Sequence, residues 1–187
     1  MNRKKTTKIL VPVIVIAVVA VVVLGYFGYL PFFNNPNFGF PSSSQMTQAA
    51  GNGKTYNQSG SPHQASGGQS SYSGVSSAQE LNYTSQGGAF ILVIELKFSS
   101  SSGAQSEYTK TYAEIKSAST LGGVLSSSTS ISANITYRGF TYFSYQFLGE
   151  QISFGYDGAF VFMIFSYSGT SSISIDATSN AVISAMY

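Results

Sequence analysis

The sequence predicts an α+β protein. A single N-terminal transmembrane helix and a disordered linker carry a small antiparallel sheet with helices on one face, in the order β-α-β-β-β-β-α. Three observations lead there. Ile9–Leu30 is an apolar run with no charged residue. Several stretches after residue 89 alternate apolar and polar residues and are separated by glycine-bearing turns. Two further stretches place apolar residues at helical spacing.

The N-terminal run is ILVPVIVIAVVAVVVLGYFGYL. About 20 apolar residues in a helix cover the roughly 30 Å of a hydrocarbon core. Arg3, Lys4, Lys5 and Lys8 precede it, and Tyr26, Phe27, Tyr29, Phe32 and Phe33 gather at its far end. Basic residues stay on the cytoplasmic side and aromatic rings settle at the interface. Residues 1–8 are therefore expected inside as a basic tail and 9–30 in the bilayer, with the rest extracytoplasmic. A cleaved signal peptide has a shorter apolar core and a small-x-small cleavage site. Ala17 and Ala20 lie mid-run among valines and make a poor one. A pilin-type leader wants Gly or Ala at its cut, where this chain has Thr6-Thr7-Lys8.

The formal charge of +2 hides an asymmetry. Past residue 34 the chain carries Lys54, Lys97, Lys110, Lys116 and Arg138 against all seven acidic residues. No basic stripe is available for phosphates, so no nucleic acid partner is expected. The absence of cysteine argues against a disulfide-built secreted module. Sparse charge with many hydroxyl groups suits an acidic medium, where carboxylates are protonated.

Residues 31–88 are rich in Ser, Gly and Asn, with Pro36, Pro41 and Pro62 and only Lys54 and Glu80 as charges. Such a stretch is expected to be a flexible tether, because it buries too little surface to offset the entropy of ordering. A free chain of this length spans about 40 Å. Asn57, Asn82 and Asn134 each begin an N-x-S/T sequon, which makes them candidate glycosylation sites on an exported chain.

Residues 89–187 are expected to form the domain. Ala89–Phe98 is a strand, apolar on both faces at its start. Residues 104–119 form a helix with Tyr108, Tyr112 and Ile115 on one stripe, a Ser102–Gln105 capping box and a Lys110–Glu114 pair. Ile131, Ala133, Ile135 and Tyr137 alternate with Ser132, Asn134 and Thr136, and Arg138-Gly139 turns the chain into Phe140–Leu148. Gln151–Phe154 is a short strand, Gly155–Gly158 a turn, and Ala159–Tyr167 a central strand. Ile175–Tyr187 closes the domain as a helix capped by Ser174 or Asp176, with Ala177, Ala181, Val182, Ala185 and Met186 inward. This order of elements resembles PsbP- and Mog1-type domains, which end in a strand meander and a closing helix. The resemblance implies a fold and carries no residue role.

Chemistry is sparse. No catalytic set, cofactor site or metal cluster emerges from the spacing of titratable residues. His63, the single histidine, falls in the tether and is expected to be solvated. The carboxylates have bland positions on helix faces, turns and a helix start. Glu95 and Glu150 are the pair to test for glycosidase-like convergence. Phe140 to Tyr167 are crowded with aromatics, and if helices cover one face, Phe143, Tyr145 and Phe147 line the other as an exposed binding face. The expectation is an anchored, non-catalytic binding or assembly domain. Its partners would be the lipid bilayer and another envelope protein or a glycan. A pilin-like filament subunit and an exported hydrolase are the alternatives.

Overall fold

The computed structural model describes residues 38–65, 72–121, 129–147, 149–169 and 171–187. The expected basic tail, the expected span at 9–30 and the first part of the expected tether lie outside them. No helix among the described residues is long and apolar enough to cross a membrane.

The elements run α1 (Ser43–Ala50), β1 (Asn57–Gln58), β2 (His63–Gln64), β3 (Val75–Thr84), β4 (Phe90–Phe98), α2 (Ser101–Leu121), β5 (Thr129–Tyr137), β6 (Phe140–Phe147), β7 (Glu150–Asp157), β8 (Phe160–Tyr167) and α3 (Ile175–Ala185). All eight strands belong to one antiparallel sheet in the order β1-β3-β4-β8-β7-β6-β5, with β2 also on the outer edge of β3. The expected α+β class and strand meander are present. Two expectations are corrected.

The first is the tether. Described residues from 38 to 88 contain a helix and three strands, and β3 pairs along its length with β4. The signals were local. Ser42 caps α1 and forms a capping box with Gln45, while Gly51 closes the helix at φ 65°. Leu81 and Tyr83 alternate with polar neighbours on β3 and are fully buried. An eight-residue helix that buries only Met46 and Ala50 is too short to stand out by period. It forms because α3 and the sheet cover it.

The second is the placement of helices, which pack on both faces. One face carries α1 and α3 over Leu81, Tyr83, Ile91, Val93, Phe140, Tyr142, Phe162 and Ile164. The opposite face carries α2 over Leu96, Phe98, Phe143, Tyr145, Phe154, Val161 and Met163. The chain must cross from β4 to the far edge, because β8 takes the place beside β4 and the meander grows outward to β5. That crossing is α2.

Smaller differences have physical causes. Ser100, two residues earlier than expected, accepts from the Gly103 amide at 3.1 Å and starts α2. Lys110 meets Glu107 at 3.8 Å in place of Glu114. A bulge between Ser132 and Ile135, with Asn134 at φ 56°, breaks the alternation of β5. Ile131 and Ala133 therefore join the α2 core, while Ile135 and Tyr137 join the opposite one. The Arg138-Gly139 turn has positive φ at both positions, as a tight hairpin requires. Gly155 lies inside β7 and not in a turn. A Cβ there would sit 2.5 Å from Tyr142 Cβ and 2.6 Å from Phe162 Cε1. In α3 the inward stripe is Thr178, Ser179, Val182 and Ile183. The two hydroxyls bond back to the Ser174 and Ile175 carbonyls, and Ser179 also reaches Ser153 at 2.8 Å.

Candidate functional site

The α2 face is closed at one end and open at the other. Beneath α2, Tyr108 lies 5.7 Å from Phe143 and 4.9 Å from Tyr156, and Tyr112 lies 5.4 Å from Phe143. These ring contacts cover the sheet beneath α2. Phe143 is fully buried and Tyr145 is 6 % exposed, so they are core residues and not the expected exposed binding face. Phe147 continues β6, and its side chain is outside the described residues. The correction follows from α2, which covers the face that was expected to be bare.

Toward the start of β4 and the end of β8, the same face opens into a groove of about 700 Å³. Alternation builds it. Leu92 and Ile94 of β4, Ile152 of β7 and Phe165 of β8 supply the floor. Phe90 and Tyr167, register partners with ring centroids 6.4 Å apart, stand exposed at its mouth. One wall is β3, which contributes Glu80 and Asn82, and Glu150 stands on β7 across the floor. Volume and lining fall within the range of small-molecule sites, apolar with a few placed polar groups.

His63 lies at the edge of this groove, exposed as expected but on a strand of the sheet and not in a tether. β2 pairs His63 with Glu80, and Nε2 sits 3.0 Å from Glu80 Oε1. Glu80 is buried, and that burial pushes its carboxyl above the usual range, with His63 partly offsetting the effect. The Asn82 Oδ1 is buried without a hydrogen-bond partner among the described residues. Sequence reasoning missed this site because β2 is two residues long and its partner lies in β3, itself read as tether.

Glu95 and Glu150 do not converge. Glu95 faces α1 and α3 with no solvent exposure, and its Oε2 accepts from the Gly39 amide at 3.1 Å. Oε1 has no partner among the described residues, and burial holds the carboxyl well above its ordinary value. Glu80 and Glu150 share the groove but are separated by three strand steps and four residues of register, roughly 19 Å between Cα atoms. A glycosidase pair needs about 5–9.5 Å. Among the described residues no group of three His, Asp or Glu could hold a metal ion.

The sequons differ in accessibility. Asn57 on β1 and Asn134 at the β5 bulge are exposed, whereas Asn82 is half-buried in the groove wall.

The molecule is thus an α+β domain whose single antiparallel sheet is sandwiched by helices, with one open groove on the α2 side. No family model matches the sequence, and no curated protein matches it. Among solved structures it is similar to the extracellular domain of PknH from Mycobacterium tuberculosis, at 9 % identity and a TM-score of 0.43. That match covers 77 % of this chain and 91 % of the other.

Proposed function

We propose that this chain is a single-pass membrane protein whose extracytoplasmic domain binds a ligand through the groove on the α2 face, without catalysing a reaction on it. One observation carries the reading. The chain joins the domain at Phe38, shortly after the apolar run, and Phe38 packs edge-on against Phe160 at the start of β8. The groove's mouth holds Tyr167 at the other end of the same strand, about 23 Å away at the rise of an extended chain. An anchor on one end and an open groove on the other suit a site presented away from the lipid.

The basic residues before Ile9 and the uncharged run after it support the orientation. The absence of cysteine makes the test clean. Single variants Asn2→Cys and Gln86→Cys would be exposed to a membrane-impermeant maleimide on intact cells. Labelling is expected at position 86, and at position 2 only after lysis. Protection of position 86 on intact cells would overturn the topology.

A further inference from the structure

One end of the sheet gathers aromatic rings and cations, and it is the end where Phe38 enters the domain. Phe38 meets the Phe160 ring edge-on at 6.0 Å, and Phe140 meets the Tyr187 ring edge-on at 6.2 Å. With Met186 these rings line a recess of about 410 Å³, and Tyr187 is 69 % exposed beside it. Lys97, near the end of β4, holds its ammonium 5.3 Å from the centre of the Phe160 ring. Arg138, in the turn after β5, holds its guanidinium 5.7 Å from the centre of the Tyr137 ring. Neither cation is ion-paired among the described residues, where the pairs are His63–Glu80 and Lys110–Glu107. Asp157, at the end of β7, accepts from the Tyr187 hydroxyl. The opposite end has the reverse character. Glu150 and Asp176 are exposed there, and the Lys54 ammonium is taken up by the Ser168 carbonyl. Its exposed rings, Phe90 and Tyr167, stand at a groove that is lined by carboxylates and by no lysine or arginine.

We infer that the Phe38 end of the domain docks on the headgroup layer of the bilayer, with Tyr187 and Phe160 at the interface and Lys97 and Arg138 on lipid phosphates. The inference rests on the single-pass anchor proposed above. Chain length argues for this occupant. Seven residues separate Leu30 from Phe38, so Phe38 lies within about 30 Å of the end of the apolar run. Charge argues for it as well. Phosphate oxygens accept from ammonium and guanidinium groups, and the two cations of this end have no carboxylate to compete. Long basic side chains with apolar stems suit a membrane interface, and a tyrosine there keeps its ring in the apolar layer and its hydroxyl in the wet one. The consequence is orientation. With this end on the lipid, the groove mouth, about 23 Å away along β8, faces outward, and the domain is held by a surface as well as by its linking segment.

The chain has no tryptophan, so single-tryptophan variants report position cleanly. Tyr187→Trp and Phe90→Trp mark the two ends, and both positions are exposed, so the fold tolerates the change. Each full chain is placed in phosphatidylcholine nanodiscs in which a fraction of the headgroups carries a nitroxide quencher. Relative to nitroxide-free discs, Tyr187→Trp is expected to lose most of its emission and Phe90→Trp to keep it. Adding Lys97→Gln and Arg138→Gln to Tyr187→Trp should restore part of that emission; no restoration would overturn the role given to the two cations. Full emission of Tyr187→Trp from chains that stay with the discs would overturn the docking and leave the anchor standing, as would equal quenching at both positions. Quenching of Phe90→Trp alone would overturn the docking and turn the groove toward the lipid. Chains recovered free of the discs would overturn the anchor itself.

Discussion

The two faces of the sheet are made from alternate residues of the same strands and are closed in different ways. On the α1/α3 face, the segment around Phe38–Pro41 is drawn in under α3. Gly39 is so close that a Cβ would lie 1.8 Å from the Ala185 carbonyl oxygen. Glu95 and Tyr83 fasten that segment, the latter donating to the Pro41 carbonyl at 2.6 Å. On the α2 face one helix covers rings at one end and leaves a groove at the other. The α1/α3 face has an unmatched polar atom deep inside it, at Glu95. The half-covered face holds its buried polar groups, Glu80 and Asn82, in the wall of the groove.

The largest expected effect breaks the closed end of the α2 face. Phe143→Ala removes a fully buried ring in contact with Tyr108, Tyr112 and Phe154. It should cost about 3–5 kcal/mol, read by chemical denaturation of the full chain followed by near-ultraviolet circular dichroism. A loss below about 1 kcal/mol would show that Phe143 is not packed core.

Glu95 sharpens the contrast next. Its folded-state pKa is raised above the unfolded value. A raised group contributes stability that is complete below the unfolded pKa and lost as pH rises through the folded one. The domain should therefore gain stability as pH falls from above the folded value toward the ordinary carboxyl range. Lys97 shares the face of β4 with Glu95, but its ammonium is placed over the Phe160 ring at 5.3 Å. Keeping an ion dry without a partner costs several kcal/mol. Glu95→Gln retains an acceptor for Gly39 without the charge, so it should raise neutral-pH stability and flatten the pH dependence. Denaturation midpoints measured at several pH values would reveal it; an unchanged slope would contradict the assignment. The direction agrees with the acidic medium that the sparse surface charge suggests.

The smallest of the three probes the fit of the α1/α3 face. Gly155→Ala places a methyl group against Tyr142 and Phe162, both fully buried, and should cost about 1–3 kcal/mol by the same denaturation assay. A neutral result would mean that the Tyr142 Cβ and the Phe162 ring can move apart without loss.

Much of the fold was legible in local patterns. The helix stripe Tyr108–Tyr112–Ile115 packs on the α2 core as its spacing implied, and the hairpin at Arg138-Gly139 is where the residue types place it. Those signals depend on neighbours a few residues apart, and periodicity reports them directly. Gly155 misled because its freedom was assigned to a turn, whereas its lack of a side chain makes room for the Tyr142 Cβ and the Phe162 ring from the two neighbouring strands. Likewise, α1, β1 and β2 are too short to be recognised alone. They exist because β3 offers an edge and α3 a surface.

The sequence by itself determined the strand meander and the two longer helices, because each is encoded within one continuous stretch. The tertiary structure decided which face each helix covers, that Phe143 and Tyr145 are interior, and that His63, Glu80 and Asn82 share a wall with Glu150 across from it. Strand order sets these, through pairings such as β4 with β8 that join residues distant in the chain. No local period carries that information.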